Sequence, residues 1–116
     1  HDGGDRVLRD FAERLLHDLR ALDLAARYGG EEFVIVMPGA GLAGARIASE
    51  RLRASIAAEP FQVGEEQTTP VTVSIGFAQA QIGETADSLL RRADEALYVA
   101  KGDGRNRVEA ATSAAA

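Results

Sequence analysis

RYGGEEFVIVM, residues 27–37, places two glycines and two glutamates directly before an unbroken apolar run. Residues 24–28 precede the glycines, and two short extended segments around a glycine pair predict a β-hairpin. The hairpin tip has two explanations. It is either a solvated turn in which glycine supplies positive φ, or a ligand site in which Glu31 and Glu32 offer hard oxygen ligands to Mg²⁺.

Helices and further strands flank this hairpin. Apolar residues recur at helical spacing before and after it, and Pro60 ends the second helix. The order of helix, hairpin, helix, strand, helix and strand favours an α+β fold, with a sheet covered by helices. The expected helices lie at 5–22 and 42–58, and a third starts after Thr85 or Asp87 and ends at 101. The expected strands lie at 24–28, 33–37, 71–78 and 107–109, with a further short strand and a polar turn between Pro60 and residue 71.

The composition excludes several classes of protein. A net charge of −5 argues against broad binding to DNA. The absence of cysteine excludes disulfides and thiolate metal sites. The sequence contains no apolar stretch near the roughly 20 residues of a membrane span and no signal peptide. These features predict a single cytoplasmic domain without membrane contact.

Four blocks in order resemble the GGDEF family of diguanylate cyclases: HDGGDRVL, GGEEF, TVSIGFA and LLRRADEALYVAKGDGRNRV. The resemblance covers residues 1–109, and the alanine-rich residues 110–116 are expected to form a disordered tail. It implies the fold of the class III nucleotide cyclases, which is a ferredoxin-like palm sheet covered by helices.

The resemblance also implies an activity. Members of the family join two GTP molecules into cyclic di-GMP, using Mg²⁺ or Mn²⁺, when two domains meet as a homodimer. By resemblance, Glu31 is the metal ligand and deprotonates the attacking ribose 3′-hydroxyl, while Glu32 is a second catalytic carboxylate. Gly29 and Gly30 let the substrate approach the backbone.

Further substrate contacts follow from the same resemblance. His1 matches a nucleotide contact, and Asp5 matches the position that recognises the guanine edge. A helix N-cap is the alternative for Asp5. Lys101 and Arg105 match the pair that binds the β and γ phosphates.

The two cations also have a structural explanation, because positive charge is favoured at a helix C-terminus. Asn106 is expected to fix the turn that follows this helix and not to contact the substrate.

A candidate product site lies just before the hairpin. Arg20-Ala-Leu-Asp23 resembles the Arg-x-x-Asp site at which cyclic di-GMP inhibits members of the family, and Arg51 aligns with an arginine that completes such sites. An arginine fork suits phosphate or the Hoogsteen edge of guanine. A surface ion pair is the structural alternative.

The first strand and helix of the family are missing from the sequence, including one aspartate metal ligand. The chain is therefore expected to be N-terminally truncated and inactive alone, within a parent protein that carries an upstream sensory or receiver domain. The alternative is that a segment of another copy fills the gap. The alternative function is a catalytically incompetent receptor that binds cyclic di-GMP through Arg20 and Asp23.

Overall fold

The computed structural model describes residues 2–29 and 32–112. They form an α+β fold in the expected order of elements. The elements are α1 (Asp2–Asp18), β1 (Leu24–Arg27), β2 (Phe33–Val36), α2 (Gly41–Ala58), β3 (Phe61–Gln62), β4 (Thr68–Thr69), β5 (Ile75–Phe77), α3 (Ala86–Gly102) and β6 (Val108–Ala110). Within the described part of the chain, no helix is long and apolar enough to cross a membrane.

The predicted hairpin is present. β1 and β2 pair antiparallel, in a register that sets Leu24 opposite Val36 and Arg27 opposite Phe33. Beyond the last pair, the backbone N–H of Tyr28 donates to the carbonyl of Glu32 at 2.7 Å. The hairpin therefore closes directly beneath its glycine- and glutamate-containing tip.

One face of the hairpin is anchored in the core. Phe33 packs against Phe11 of α1, with their ring centroids 5.1 Å apart. Both rings are partly buried against the core, so the contact contributes part of the roughly 1.5–3 kcal/mol of a fully buried side chain and anchors the base of the tip. The buried cluster beneath it consists of Leu15, Leu52, Ile56 and Phe61.

α3 packs directly on β5. A Cβ on Gly76 would lie 2.2 Å from the backbone nitrogen of Leu97, so only glycine permits this approach. The Thr85 side chain caps α3 by accepting from the Ser88 backbone N–H. Of the two predicted starts of this helix, Thr85 and Asp87, the first is therefore confirmed. β5 pairs in parallel with β6, which places the end of α3 and the turn after it beside the sheet.

α1 ends at Asp18, and not at residue 22 as predicted. The Asp23 carboxylate accepts from the Arg20 backbone N–H at 2.8 Å, and the Asp23 N–H donates to the Arg20 carbonyl. This turn competes with helix continuation, and it leaves Leu22 71% exposed.

The strands also differ from expectation. β5 covers only Ile75–Phe77, while Val71 and Val73 pack against the core without forming a strand pair among the described residues. Within the part of the chain that the structure describes, six strands form three two-stranded sheets. β6 includes Ala110, and the Ala111 N–H donates to Phe77, so order extends past the expected boundary at 109. Residues 113–116 lie outside the described range.

A buried ion pair joins the start of α3 to the chain before it. Arg92 donates to both carboxylate oxygens of Glu84 at 2.7 Å and also to the carbonyls of Gln79 and Thr112. The hydrogen bond from Arg92, assisted by one from Ser88, lowers the pKa of Glu84 from 4.5 to about 2.

This pair predicts a specific acid sensitivity. Because the folded-state pKa of Glu84 is depressed, its stabilising contribution is complete above pH 4.5 and is lost as the pH falls toward 2. Thermal unfolding followed between these pH values should therefore show a shallower loss of stability for Glu84→Gln than for the wild type. Glu95→Gln, at an exposed position of α3, is the matched control. Parallel profiles for wild type and Glu84→Gln would refute this assignment.

Candidate active site

The fold brings the tip of the hairpin to the C-terminal end of α3. The Glu32 carboxylate lies 3.9 Å from the Lys101 ammonium, and the two side chains are 44% and 45% exposed. A carboxylate and a lysine that are far apart in sequence thus lie together at the surface. At this exposure the ion pair itself contributes little to stability, so both groups remain available to a ligand.

The turn after α3 is closely held. The backbone N–H groups of Asp103 and Arg105 donate to the carbonyls of Val99 and Ala100, both at 2.9 Å. The Arg105 guanidinium donates to the Lys101 carbonyl at 3.2 Å. This bond to a carbonyl in the last turn of α3 agrees with the structural explanation of Arg105, and its part in phosphate binding stays a prediction.

The remaining predicted substrate residues form no hydrogen bond or ion pair with the Glu32 and Lys101 side chains in the part of the chain that the structure describes. Asp5 is exposed within α1; since the helix already includes Asp2, Asp5 is not its N-cap. Among the described residues, no contact joins Asp5 to the Glu32 and Lys101 pair. Gly29 donates to and accepts from the Glu32 backbone at 3.4 Å. His1, Gly30 and Glu31 lie outside the described residues.

Arg20 and Asp23 form a hydrogen-bonded ion pair, which is called the Arg20 and Asp23 fork below. The Arg20 Nε and Nη2 donate to Asp23 Oδ1 at 3.0 and 2.8 Å, and Nη2 also donates to the Pro38 carbonyl. The hydrogen bond from Arg20 lowers the pKa of the Asp23 carboxyl. The Asp23 side chain has no exposed surface, whereas that of Arg20 is 50% exposed. Arg20 is therefore the group that a ligand can reach, and Asp23 orients it.

Arg51 is exposed on α2. The structure gives no contact between Arg51 and the Arg20 and Asp23 fork within the described residues. Its predicted part in a product site stays a prediction.

The described residues contain no cluster of three acidic or histidine side chains able to hold a metal ion. The donor chemistry at the hairpin tip nevertheless fits Mg²⁺, which prefers one or two carboxylates together with substrate phosphates. Glu32 is exposed beside Lys101, and Glu31 precedes it in the sequence.

The sequence analysis did not predict two of the side-chain contacts. Both carboxylate oxygens of Glu84 are bound by Arg92, and the guanidinium of Arg53 on α2 donates to the Asn106 side chain at 2.9 Å. Neither pair shows a helical i to i+4 spacing or a local motif, so only the folded arrangement reveals them.

Comparison with known proteins identifies the family of the chain. Residues 1–107 match the family described as "Diguanylate cyclase, GGDEF domain". Response regulator PleD of Caulobacter vibrioides is 51% identical over 110 residues, which cover 93% of this chain and 24% of PleD. Diguanylate cyclase DgcP of Pseudomonas aeruginosa is 44% identical over 96% of this chain and 16% of its own length. The chain thus spans a quarter or less of these two curated relatives.

Solved structures show the same fold. The GGDEF domain of DgcB from Caulobacter crescentus, in complex with cyclic di-GMP, superposes with a TM-score of 0.91 at 36% identity, covering 97% of this chain and 67% of that one. Diguanylate cyclase SiaD from Pseudomonas aeruginosa, in complex with its activator SiaC, gives 0.89 at 41% identity, covering 96% and 42%. The chain belongs to the GGDEF domain family of diguanylate cyclases.

Proposed function

We propose that this domain, within its full-length protein, condenses two GTP molecules into cyclic di-GMP and releases two pyrophosphates. The observation that carries the proposal is the approach of Glu32, at the hairpin tip, to Lys101, at the end of α3. This approach sets a candidate metal-binding carboxylate beside a candidate phosphate-binding cation. Phosphoryl transfer depends mainly on such positioning and charge neutralisation.

The acidic tip would hold the metal ion. Glu31 and Glu32 are the residues proposed to bind Mg²⁺ or Mn²⁺, and Glu31 accepts the proton of the attacking 3′-hydroxyl. A bound divalent ion would supply charge neutralisation on the triphosphate. Gly29 and Gly30 keep side chains away from the substrate, and the hairpin closure beneath them holds the tip in place.

The other substrate contacts lie on the helices. Lys101 and Arg105 are proposed to bind the β and γ phosphates, because both are cations at one turn beside the acidic tip. Asp5 is proposed to accept from the N1 and N2 donors of guanine, and His1 to contact the nucleotide. The exposure of Asp5 on α1 leaves its carboxylate open to a ligand.

Product inhibition is proposed at the Arg20 and Asp23 fork, with Arg51 as a further contact. Asp23 holds the Arg20 guanidinium in a fixed plane that remains half exposed. Nε and Nη2 already donate to Asp23 and Pro38, so the preoriented guanidinium offers its Nη1 for a charge-assisted contact to phosphate or guanine.

Assembly follows from the chemistry. Each domain holds one GTP, so two copies of the domain must meet for the two substrates to react. We therefore propose catalysis in a homodimer, with an upstream sensory or receiver domain controlling the encounter. GTP is the substrate, and we place the reaction in the cytoplasm.

Replacing Lys101 tests the phosphate site. Lys101→Ala in the full-length protein should raise KM for GTP about 10- to 100-fold, because a charge-assisted phosphate contact contributes roughly 1.5–3 kcal/mol. Steady-state kinetics measures this change. Lys101→Arg keeps the charge and should retain most of the affinity, and cyclic di-GMP affinity should be unchanged in both variants. An unaltered KM in Lys101→Ala would exclude this role.

The receptor alternative is supported by the same Arg20 and Asp23 geometry, which needs no catalytic centre. Isothermal titration of the full-length protein separates the two functions. A cyclase binds GTP in the presence of Mg²⁺ as well as cyclic di-GMP, whereas a receptor binds cyclic di-GMP alone.

A further inference from the structure

We propose that Arg53 of α2 is a positioning residue for the phosphate-binding end of the site. It would act through Asn106, by holding the turn that carries Lys101 and Arg105. This inference rests on the proposed function, because it assigns Arg53 a part in GTP binding.

The turn after α3 adopts an unfavourable backbone conformation. Arg105 and Asn106 have φ angles of 59° and 48°, two consecutive left-handed residues without glycine. Asparagine tolerates this region, but for arginine it is uncommon. Such conformations persist only where the surroundings hold them, and they are concentrated at functional sites. The question is therefore what holds this turn.

Local hydrogen bonds hold the first part of the turn. The Arg105 N–H donates to Ala100, and the Arg105 side chain donates to Lys101. These bonds come from α3 itself. At Asn106, a contact from a different element is added: Arg53 Nη1 donates to the Asn106 side-chain oxygen at 2.9 Å.

Arg53 is itself fixed. Its Nε donates to Glu50 Oε1 at 3.3 Å, one helical turn earlier, and its side chain is only 23% exposed. The preceding residue, Leu52, is part of the buried core cluster. The guanidinium thus extends from a rigid helix to the strained turn, with one nitrogen bound to α2 and another to Asn106.

The consequence for binding is preorganisation. If the turn relaxed, Arg105 would leave the left-handed region and move its side chain relative to Lys101. The two cations would then have to be reordered when GTP binds, which weakens affinity. A residue that only stabilises the fold would instead lower the amount of active protein and leave KM unchanged.

Steady-state kinetics on the full-length protein tests the proposal. Arg53→Ala and Arg53→Gln should raise KM for GTP about three- to tenfold, with little change in kcat, since a lost hydrogen bond contributes roughly 1 kcal/mol. Two variants are used so that poor folding of one leaves the other informative. Arg91→Ala, which removes the same charge from an exposed position of α3, should keep the wild-type KM.

Variants of Asn106 test the route of action. Asn106→Ala removes the acceptor oxygen and should raise KM as much as Arg53→Ala. The double variant Arg53→Ala/Asn106→Ala should raise KM no further than either single change, because both remove the same contact.

Two results would overturn the inference: a wild-type KM in both Arg53 variants, or fully additive effects in the double variant. If the proposed function itself were wrong, the measurements would give different results. In that case Lys101→Ala would also leave KM unchanged, or the wild type would make no cyclic di-GMP. Lys101→Ala with a raised KM, beside Arg53 variants without one, would reject the positioning role alone.

Discussion

Replacing Glu31 with alanine in the full-length protein should lower the rate of cyclic di-GMP formation by a factor of about 10²–10⁴, the range typical for loss of a general base. The change removes the proposed proton acceptor and one of the two carboxylates offered to the metal ion. Binding geometry alone does not compensate, because the attacking 3′-hydroxyl is a weak nucleophile until it is deprotonated. Product formation measured by chromatography, at saturating GTP and Mg²⁺, checks this result.

The chain offers a matched control for this change. Glu65 lies in the exposed connection between β3 and β4, so Glu65→Ala removes one carboxylate without touching the proposed site. It should keep the wild-type rate. A wild-type rate in Glu31→Ala would refute the catalytic assignment of the acidic tip.

Replacing Arg20 with alanine should weaken cyclic di-GMP binding about 10- to 100-fold, because a charge-assisted hydrogen bond from its Nη1 to phosphate or guanine contributes roughly 1.5–3 kcal/mol. Product inhibition should weaken in parallel, while the initial rate at low product stays near that of the wild type. The physical reason is that Arg20 is the exposed half of the fork and Asp23 is fully covered.

Calorimetry with cyclic di-GMP and rate measurements with added product check this prediction. Arg9→Ala, at an exposed position of α1, is the matched control and should bind cyclic di-GMP normally. If Arg20→Ala binds cyclic di-GMP as tightly as the wild type, the fork is a structural ion pair and product inhibition lies elsewhere.

Strong local patterns predicted most of the fold. The glycine pair between two extended segments predicted the hairpin, and apolar periodicity with Pro60 predicted α2, which ends at Ala58. The end of α1 was mispredicted because its periodicity continues to Leu22, while the Asp23 side chain competes for the Arg20 backbone N–H. β5 was predicted too long. Its length is set by pairing with β6, and the periodicity of one segment does not show where its partner strand begins and ends.

The site was predictable only in part. The residues alone left two explanations for Glu31 and Glu32, and the resemblance to a family assigned them and the cations to one site. The structure adds that Glu32 and Lys101 lie together. The contact between Arg53 and Asn106 joins two elements distant in sequence. No local motif marks such a pair, because each residue alone is typical of a solvated surface.

The central claim is that the hairpin tip and the end of α3 together hold GTP for condensation. The most direct measurement is the stoichiometry of the reaction of the full-length protein with GTP and Mg²⁺. Our account predicts one cyclic di-GMP and two pyrophosphates for every two GTP consumed. It also predicts that Glu31→Ala forms cyclic di-GMP about 10²–10⁴ times more slowly than the wild type. Binding of cyclic di-GMP without any turnover of GTP would contradict it.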